Sequence, residues 1–305
     1  MDVQELSQLR MPAADENARP SEIVSQPPRD VPLRRKIERR LVIGAFVALW
    51  MTMGWLLKLD GKAYMLLGLP LTVGFQVVVA RRPIRALWVR NAPRLRVDRT
   101  WLLTTGALAA LPLFELSQGY RRGWVTIGWY LCAILGAAAT AYAIQNWDRR
   151  ALRSVPVALG MLVFVSAVMA FIAVGRGGMA VLSGSAILQA ARWTLLYLPV
   201  FFMLEEVTMR GAFDSHLWRP DEKQATGSMI ELALLCGLLH LPVAPTADPL
   251  LLLKAQLACW GMVAGISLCL AWRMGGNLLV PAAAHAALDG VRNALLLNLI
   301  PLNLP

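Results

Sequence analysis

The chain has 305 residues, 57% of them hydrophobic and 16% charged, with a mean hydropathy of +0.53; this is too apolar for an ordinary soluble domain, in which about a quarter of residues are charged. A net charge of +11 would suit nucleic acid, but the basic residues lie mostly in short stretches between apolar runs, which leaves no basic face for a duplex. Cys132, Cys236, Cys259 and Cys269 all fall inside apolar stretches and form no C-x-x-C pair, which argues against a disulfide framework or a zinc knuckle.

Residues 1 to about 30 are rich in Pro, Asp, Glu, Ser and Gln without apolar periodicity and read as disordered. Nothing there resembles a cleavable signal, because the first apolar run begins only at Leu41. Arg34, Arg35, Lys36, Arg39 and Arg40 directly precede that run, and the positive-inside rule places the N-terminus in the cytoplasm.

Apolar segments follow at about 41–57, 63–80, 101–117, 123–145, 155–174, 180–213, 228–244, 250–272 and 277–299, most near the ~20 residues that span a bilayer. Basic residues are dense in the connection holding Arg81, Arg82, Arg85, Arg90, Arg94, Arg96 and Arg99, and again at Arg149, Arg150 and Arg153. They are sparser at Lys58 and Lys62, at Arg121 and Arg122, and at Arg176, an alternation that agrees with these boundaries. The fold expected is all-α, a polytopic transmembrane helical bundle of about eight or nine spans; nine would leave the C-terminus outside. Its parts are a basic, disordered cytoplasmic N-terminus over 1–40, N-terminal transmembrane helices over 41–178, and a core over 179–305. Pro112 and Glu115 predict a kinked or partly buried third segment, and the turn at Gly175-Arg176-Gly177-Gly178 precedes a long sixth segment that can divide into an interfacial and a spanning helix.

Charge interrupts the sixth segment at Phe201 to Phe213, FFMLEEVTMRGAF. Glu206 and Arg210 are spaced to meet as an i,i+4 ion pair, which leaves Glu205 without a helical partner. An intramembrane carboxylate marks a functional site if other groups converge on it. Of the three histidines, His216 lies in the polar connection 214–227 and reads as a solvated loop residue. His240 ends an apolar run with no polar neighbour in sequence, so its imidazole must find a partner in another helix or line a cavity. His285 and Asp289 project from one helical face among alanines small enough for close helix approach. If the sixth helix ends near Phe213, Glu205 and His285 share a level about 12 Å from the cytoplasmic ends of their helices, and His240 comes out roughly 6 to 9 Å deeper.

Glu205 beside an imidazole in a water-accessible, low-dielectric cavity suits a general base that takes a proton from water. The histidines can hold that water, stabilise an oxyanion or ligate a metal. There is no G-x-S-x-G elbow and no His-Glu-x-x-His helix, so the fitting reaction is peptide hydrolysis by activated water without a covalent enzyme intermediate. A proton-coupled transporter and a non-catalytic immunity or scaffold protein that keeps the polar pocket are the alternatives.

Glu205-Glu206-x-x-x-Arg210, then His240, then His285-x-x-x-Asp289 resemble the three motifs of the CPBP intramembrane proteases, which include the CAAX prenyl endopeptidases and bacteriocin-processing or immunity relatives. The resemblance covers about residues 190–298. It implies that Glu205 activates water, that Glu206 and Arg210 support it, that His240 and His285 are the catalytic histidines, and that Asp289 completes the site. No obligatory cofactor is expected, although two histidines and a carboxylate can complete a zinc site with water. The implied substrate is a membrane-associated protein or peptide in the lipid bilayer, and the implied location is the inner cell membrane. Cys236 departs from the family pattern, which usually has Phe four residues before the second-motif histidine.

Overall fold

The computed structural model describes residues 30–119, 123–175, 183–223, 226–243 and 263–299. The N-terminal stretch below residue 30, the turn around Arg176, Arg121 and Arg122, Cys259 and the first half of the segment expected at 250–272 lie outside the described residues. Among the described residues the protein is all-helical, with one isolated β-bridge between Val89 and Asn277.

In chain order the helices are α1 Leu33–Leu56, α2 Gly61–Gly74, α3 Arg99–Gly119, α4 Trp124–Gln145, α5 Arg149–Gly175 and α6 Gly184–Met203. A π-helical segment, Val207–Asp214, leads into the short α7, Ser215–Leu217, and then come α8 Thr226–Leu239, α9 Gly265–Gly275 and α10 Leu279–Leu299. Several starts are set by aspartate or serine caps. Asp60 accepts from the Ala63 amide, Asp98 from Trp101, Asp148 from Arg150 and Ala151, and Ser183 from Ala186. Gly276, at φ 64°, closes α9 in the left-handed conformation that glycine adopts without penalty.

Five helices, over Leu33–Leu56, Gly61–Val79, Arg99–Gln118, Trp124–Gln145 and Arg149–Phe171, are long and apolar enough to cross a membrane. The expected eight or nine spans are thus matched in part among the described residues. Large side chains such as Leu56, Val78, Phe171 and Leu188 stand at least 70% exposed on the bundle surface, an apolar exterior that a multi-pass membrane protein turns to lipid. α1 begins at Leu33, eight residues before the expected start at Leu41, so Arg34 to Arg40 form its first turns; arginine, lysine and glutamate are good helix formers and need no apolar face there.

One core joins α1, α2, α6, the π segment, α8 and α9. The rings of Phe46, Phe75 and Phe213 meet edge-to-face at 5.2 to 5.4 Å beside buried Trp50, Tyr64 and Trp272. A second cluster packs α5 against α9 and α10 through Met161, Leu268 and Leu288. α10 also lies along α6. A Cβ placed on Gly290 would come within 2.6 Å of the Ala190 carbonyl oxygen and 2.5 Å of Thr194 Oγ1, so the two helices approach as closely as glycine permits.

Candidate active site

The sixth segment, expected to run as helix to near Phe213, is broken before that point. α6 stops at Met203, Leu204 and Glu205 form a turn, and Val207–Asp214 winds with the wider π spacing, a local irregularity that recurs at functional sites. Every residue of this segment is buried. Thr208 hydrogen-bonds the Leu204 carbonyl at 2.8 Å and the Thr72 hydroxyl of α2 at 2.6 Å. At the far end Asp214 takes a two-pronged ion pair from Arg273 of α9, with a shortest contact of 2.6 Å. The segment is therefore anchored at both ends, and the charged residues between its anchors have little freedom to move.

Glu206 and Arg210 form the expected i,i+4 pair, with Nη1 2.9 Å from Oε1 and side chains 0% and 3% exposed. The pair is not isolated. His285 Nδ1 lies 2.7 Å from the same Oε1, and because a carboxylate only accepts, Nδ1 is the donor. His285 Nε2 then faces Glu205 Oε2 at 3.6 Å. On the other side His240 donates from Nδ1 to the Cys236 carbonyl at 2.8 Å and turns Nε2 towards Glu205 Oε1 at 3.7 Å.

Glu205 thus sits between two imidazoles, each held through Nδ1 with Nε2 directed at the carboxylate. Neutral rings of this tautomer present lone pairs at Nε2, so the proton that joins either ring to Glu205 must come from water or from ring protonation. Both separations exceed a direct hydrogen bond and suit a bridging water. Asp289 lies one helical turn beyond His285 and is ion-paired to Arg292, with Nη1 2.9 Å from Oδ1. Glu205, Arg210, Cys236, His240, His285 and Asp289 all line one cavity of about 630 Å³, whose outer part runs past Trp129, Trp193 and Tyr197.

The structure brings all six sequence-derived site residues together. It also closes the depth gap expected for His240. Helical winding after Glu205 continues to Leu217, four residues beyond Phe213, which sets Glu205 about 6 Å further from the end at 1.5 Å per residue. His216 is not the solvated loop residue expected: it lies in α7, partly buried, with its ring edge-on to Phe75 at 5.3 Å. Arg292 was not among the candidates, although its i,i+3 spacing from Asp289 was a readable signal.

Residues 186–291 match the family model described as type II CAAX prenyl endopeptidase Rce1-like. This segment is similar to an Rce1-like domain. The match supports a CPBP family intramembrane protease. The matched segment runs from α6 into α10 and contains Glu205, Glu206, Arg210, His240, His285 and Asp289, whereas α1 to α5 precede it. No curated protein and no solved structure matches the chain.

Two imidazole nitrogens and one carboxylate are donors that can hold a water or, with that water, a zinc ion. Among the described residues no three His, Cys, Asp or Glu side chains are grouped as metal ligands. His285 Nδ1 is bonded to Glu206 and His240 Nδ1 to a backbone carbonyl, which leaves Nε2 of each ring facing the Glu205 carboxylate at 3.6 and 3.7 Å.

Proposed function

We propose that the protein is an intramembrane endopeptidase that hydrolyses a peptide bond of a membrane-associated protein or peptide with water activated by Glu205. The observation that carries this reading is the Glu205 carboxylate lying between His240 Nε2 and His285 Nε2, at 3.7 and 3.6 Å, on the wall of the cavity. Glu205 takes a proton from water as the oxygen attacks the scissile carbonyl carbon. A protonated imidazole stabilises the tetrahedral oxyanion, and collapse breaks the C–N bond while the proton passes to the leaving amine. Glu206 fixes the His285 ring, Arg210 neutralises Glu206, and Asp289 completes the polar wall. The basic stretches around Arg34 to Arg40 and Arg81 to Arg99 support an inner-membrane location with a cytoplasmic N-terminus.

The test compares membrane proteomes of a deletion strain complemented with wild type, Glu205→Gln or His285→Ala at matched protein levels. Uncleaved, C-terminally extended substrates are expected in both variant strains and absent from the wild type. Wild-type processing by both variants would remove the proposed site, and substrate flux in proteoliposomes without cleavage would favour a transporter.

A further inference from the structure

At the end of the bundle formed by the connections α2–α3, α4–α5 and α9–α10 lies a second cavity, of about 480 Å³, lined by Arg90, Arg150, Arg153 and Arg273 with Asp148 as its one acidic side chain. It is remote in composition from the catalytic cavity and shares no lining residue with it. The charges are unevenly settled. Arg273 is matched by Asp214, and Asp148 is engaged in capping α5 through the Arg150 and Ala151 amides. Arg90 donates to the Trp272 and Arg273 carbonyls at 2.8 and 3.0 Å, partners that carry no net charge. Its guanidinium lies 5.2 Å from the Trp218 ring and 5.0 Å from the Trp272 ring, which hold it in place. Burial, reinforced by Arg273, Arg82 and Arg150 and partly offset by Asp214, lowers its pKa to about 10. Arg150 and Arg153 stand exposed on the first turns of α5.

Met274 lines the cavity and is 42% exposed, and Trp147 and Leu152, next in sequence to the lining residues Asp148 and Arg153, are 42% and 59% exposed; tryptophan next to arginine at a helix end is the composition of a membrane–water interface. We infer that this cavity binds the phosphate headgroup of an anionic membrane lipid, with Arg150 and Arg153 reaching the phosphate from α5, Arg90 supplying fixed positive charge behind it, and the acyl chains running down the lipid-facing side of α5. Basic pockets between membrane helices recognise such headgroups by this combination of charge and depth.

The test titrates full-length protein in neutral detergent micelles with phosphatidylglycerol, phosphatidylcholine or inorganic phosphate and follows the thermal unfolding midpoint. Phosphatidylglycerol is expected to raise the wild-type midpoint saturably and phosphatidylcholine to leave it unchanged. Arg150→Gln with Arg153→Gln is expected to raise the half-saturating lipid fraction on the order of thirtyfold, since each arginine near an anionic surface contributes a preference of about fivefold. Arg94→Gln with Arg96→Gln removes the same charge from exposed positions outside the cavity and is expected to titrate as wild type. A wild-type response from the Arg150/Arg153 variant, or an equal loss in the Arg94/Arg96 variant, overturns the site. Saturable protection by inorganic phosphate that also displaces the lipid would reassign the cavity to a free phosphate and overturn the lipid as its occupant.

Discussion

His285 Nδ1 and Arg210 Nη1 converge on one oxygen of Glu206, at 2.7 and 2.9 Å, so Glu206 both sets the histidine's tautomer and neutralises the arginine. These two duties separate under mutation. Glu206→Gln should reduce cleavage roughly ten-thousandfold, the scale seen when the carboxylate that orients a catalytic imidazole becomes an amide. It should also destabilise the fold by about 3 to 5 kcal/mol, because Arg210 is left charged and buried. Adding Arg210→Met should recover most of the unfolding midpoint and none of the activity. Recovery of both would mean that Glu206 acts only as a counter-ion.

Gly290 sets the distance between the helix that ends beside Glu205 and the helix that carries His285. Gly290→Ala drives a Cβ into the Ala190 carbonyl and Thr194, an overpacking cost of about 1 to 3 kcal/mol. The two helices should separate, with a lowered unfolding midpoint and a kcat reduced at least tenfold by misplacement of the imidazole. Wild-type kcat in this variant would show that the site tolerates their separation.

Cys236 holds part of the cavity wall, and its carbonyl anchors His240. Cys236→Phe leaves that backbone bond intact and fills part of the space over the carboxylate. KM for bulky substrates should rise several-fold with kcat for small ones nearly unchanged, measured on a series of peptides of graded side-chain size. An equal loss for every peptide would place the effect on the histidine instead.

His216 lies outside the membrane segments, and its pKa is pushed down to about 4 by burial and then by Arg39, Arg82 and Arg219. An unfolded histidine titrates near 6.5. Between these values the unfolded chain binds the proton more readily, so stability is complete above about pH 6.5 and is lost as pH falls towards 4. Allowing for the solvent that still reaches the ring, the loss is on the order of 1 kcal/mol. His216→Phe should flatten this acid-side fall in the unfolding midpoint between pH 7 and 5; an unchanged slope would assign it to other groups.

The contacts that could be read in the sequence are those within one helix. Glu206 with Arg210, and His285 one turn before Asp289, follow from a spacing of four, and the apolar segments followed from length. The pairing of His285 with Glu206, 79 residues apart, depends on how far α10 is rotated against α6, and no local pattern encodes that angle. The same holds for Asp214 and Arg273, separated by 59 residues. The break at Leu204–Glu205 has no glycine or proline of its own to announce it; Pro199, the nearest, lies inside α6. It follows from anchors in α2 and α9 that become visible only once the helices are assembled.

Glu115 of α3 and Arg192 of α6 are ion-paired on the outer part of the bundle, with side chains 26% and 62% exposed, and Glu115 also lines the catalytic cavity. Where such a pair faces hydrocarbon it is costly, and headgroups and water drawn inward beside the α3–α6 seam would relieve that cost. On the proposed function, a substrate backbone, which resists entering lipid because of its own amides, would meet its lowest barrier there and approach Glu205 sideways from the membrane plane. Water-soluble maleimide should therefore label a cysteine placed at Leu188 or Leu195 on this helix faster than one at Phe164 on α5, and equal labelling would count against a lateral entrance.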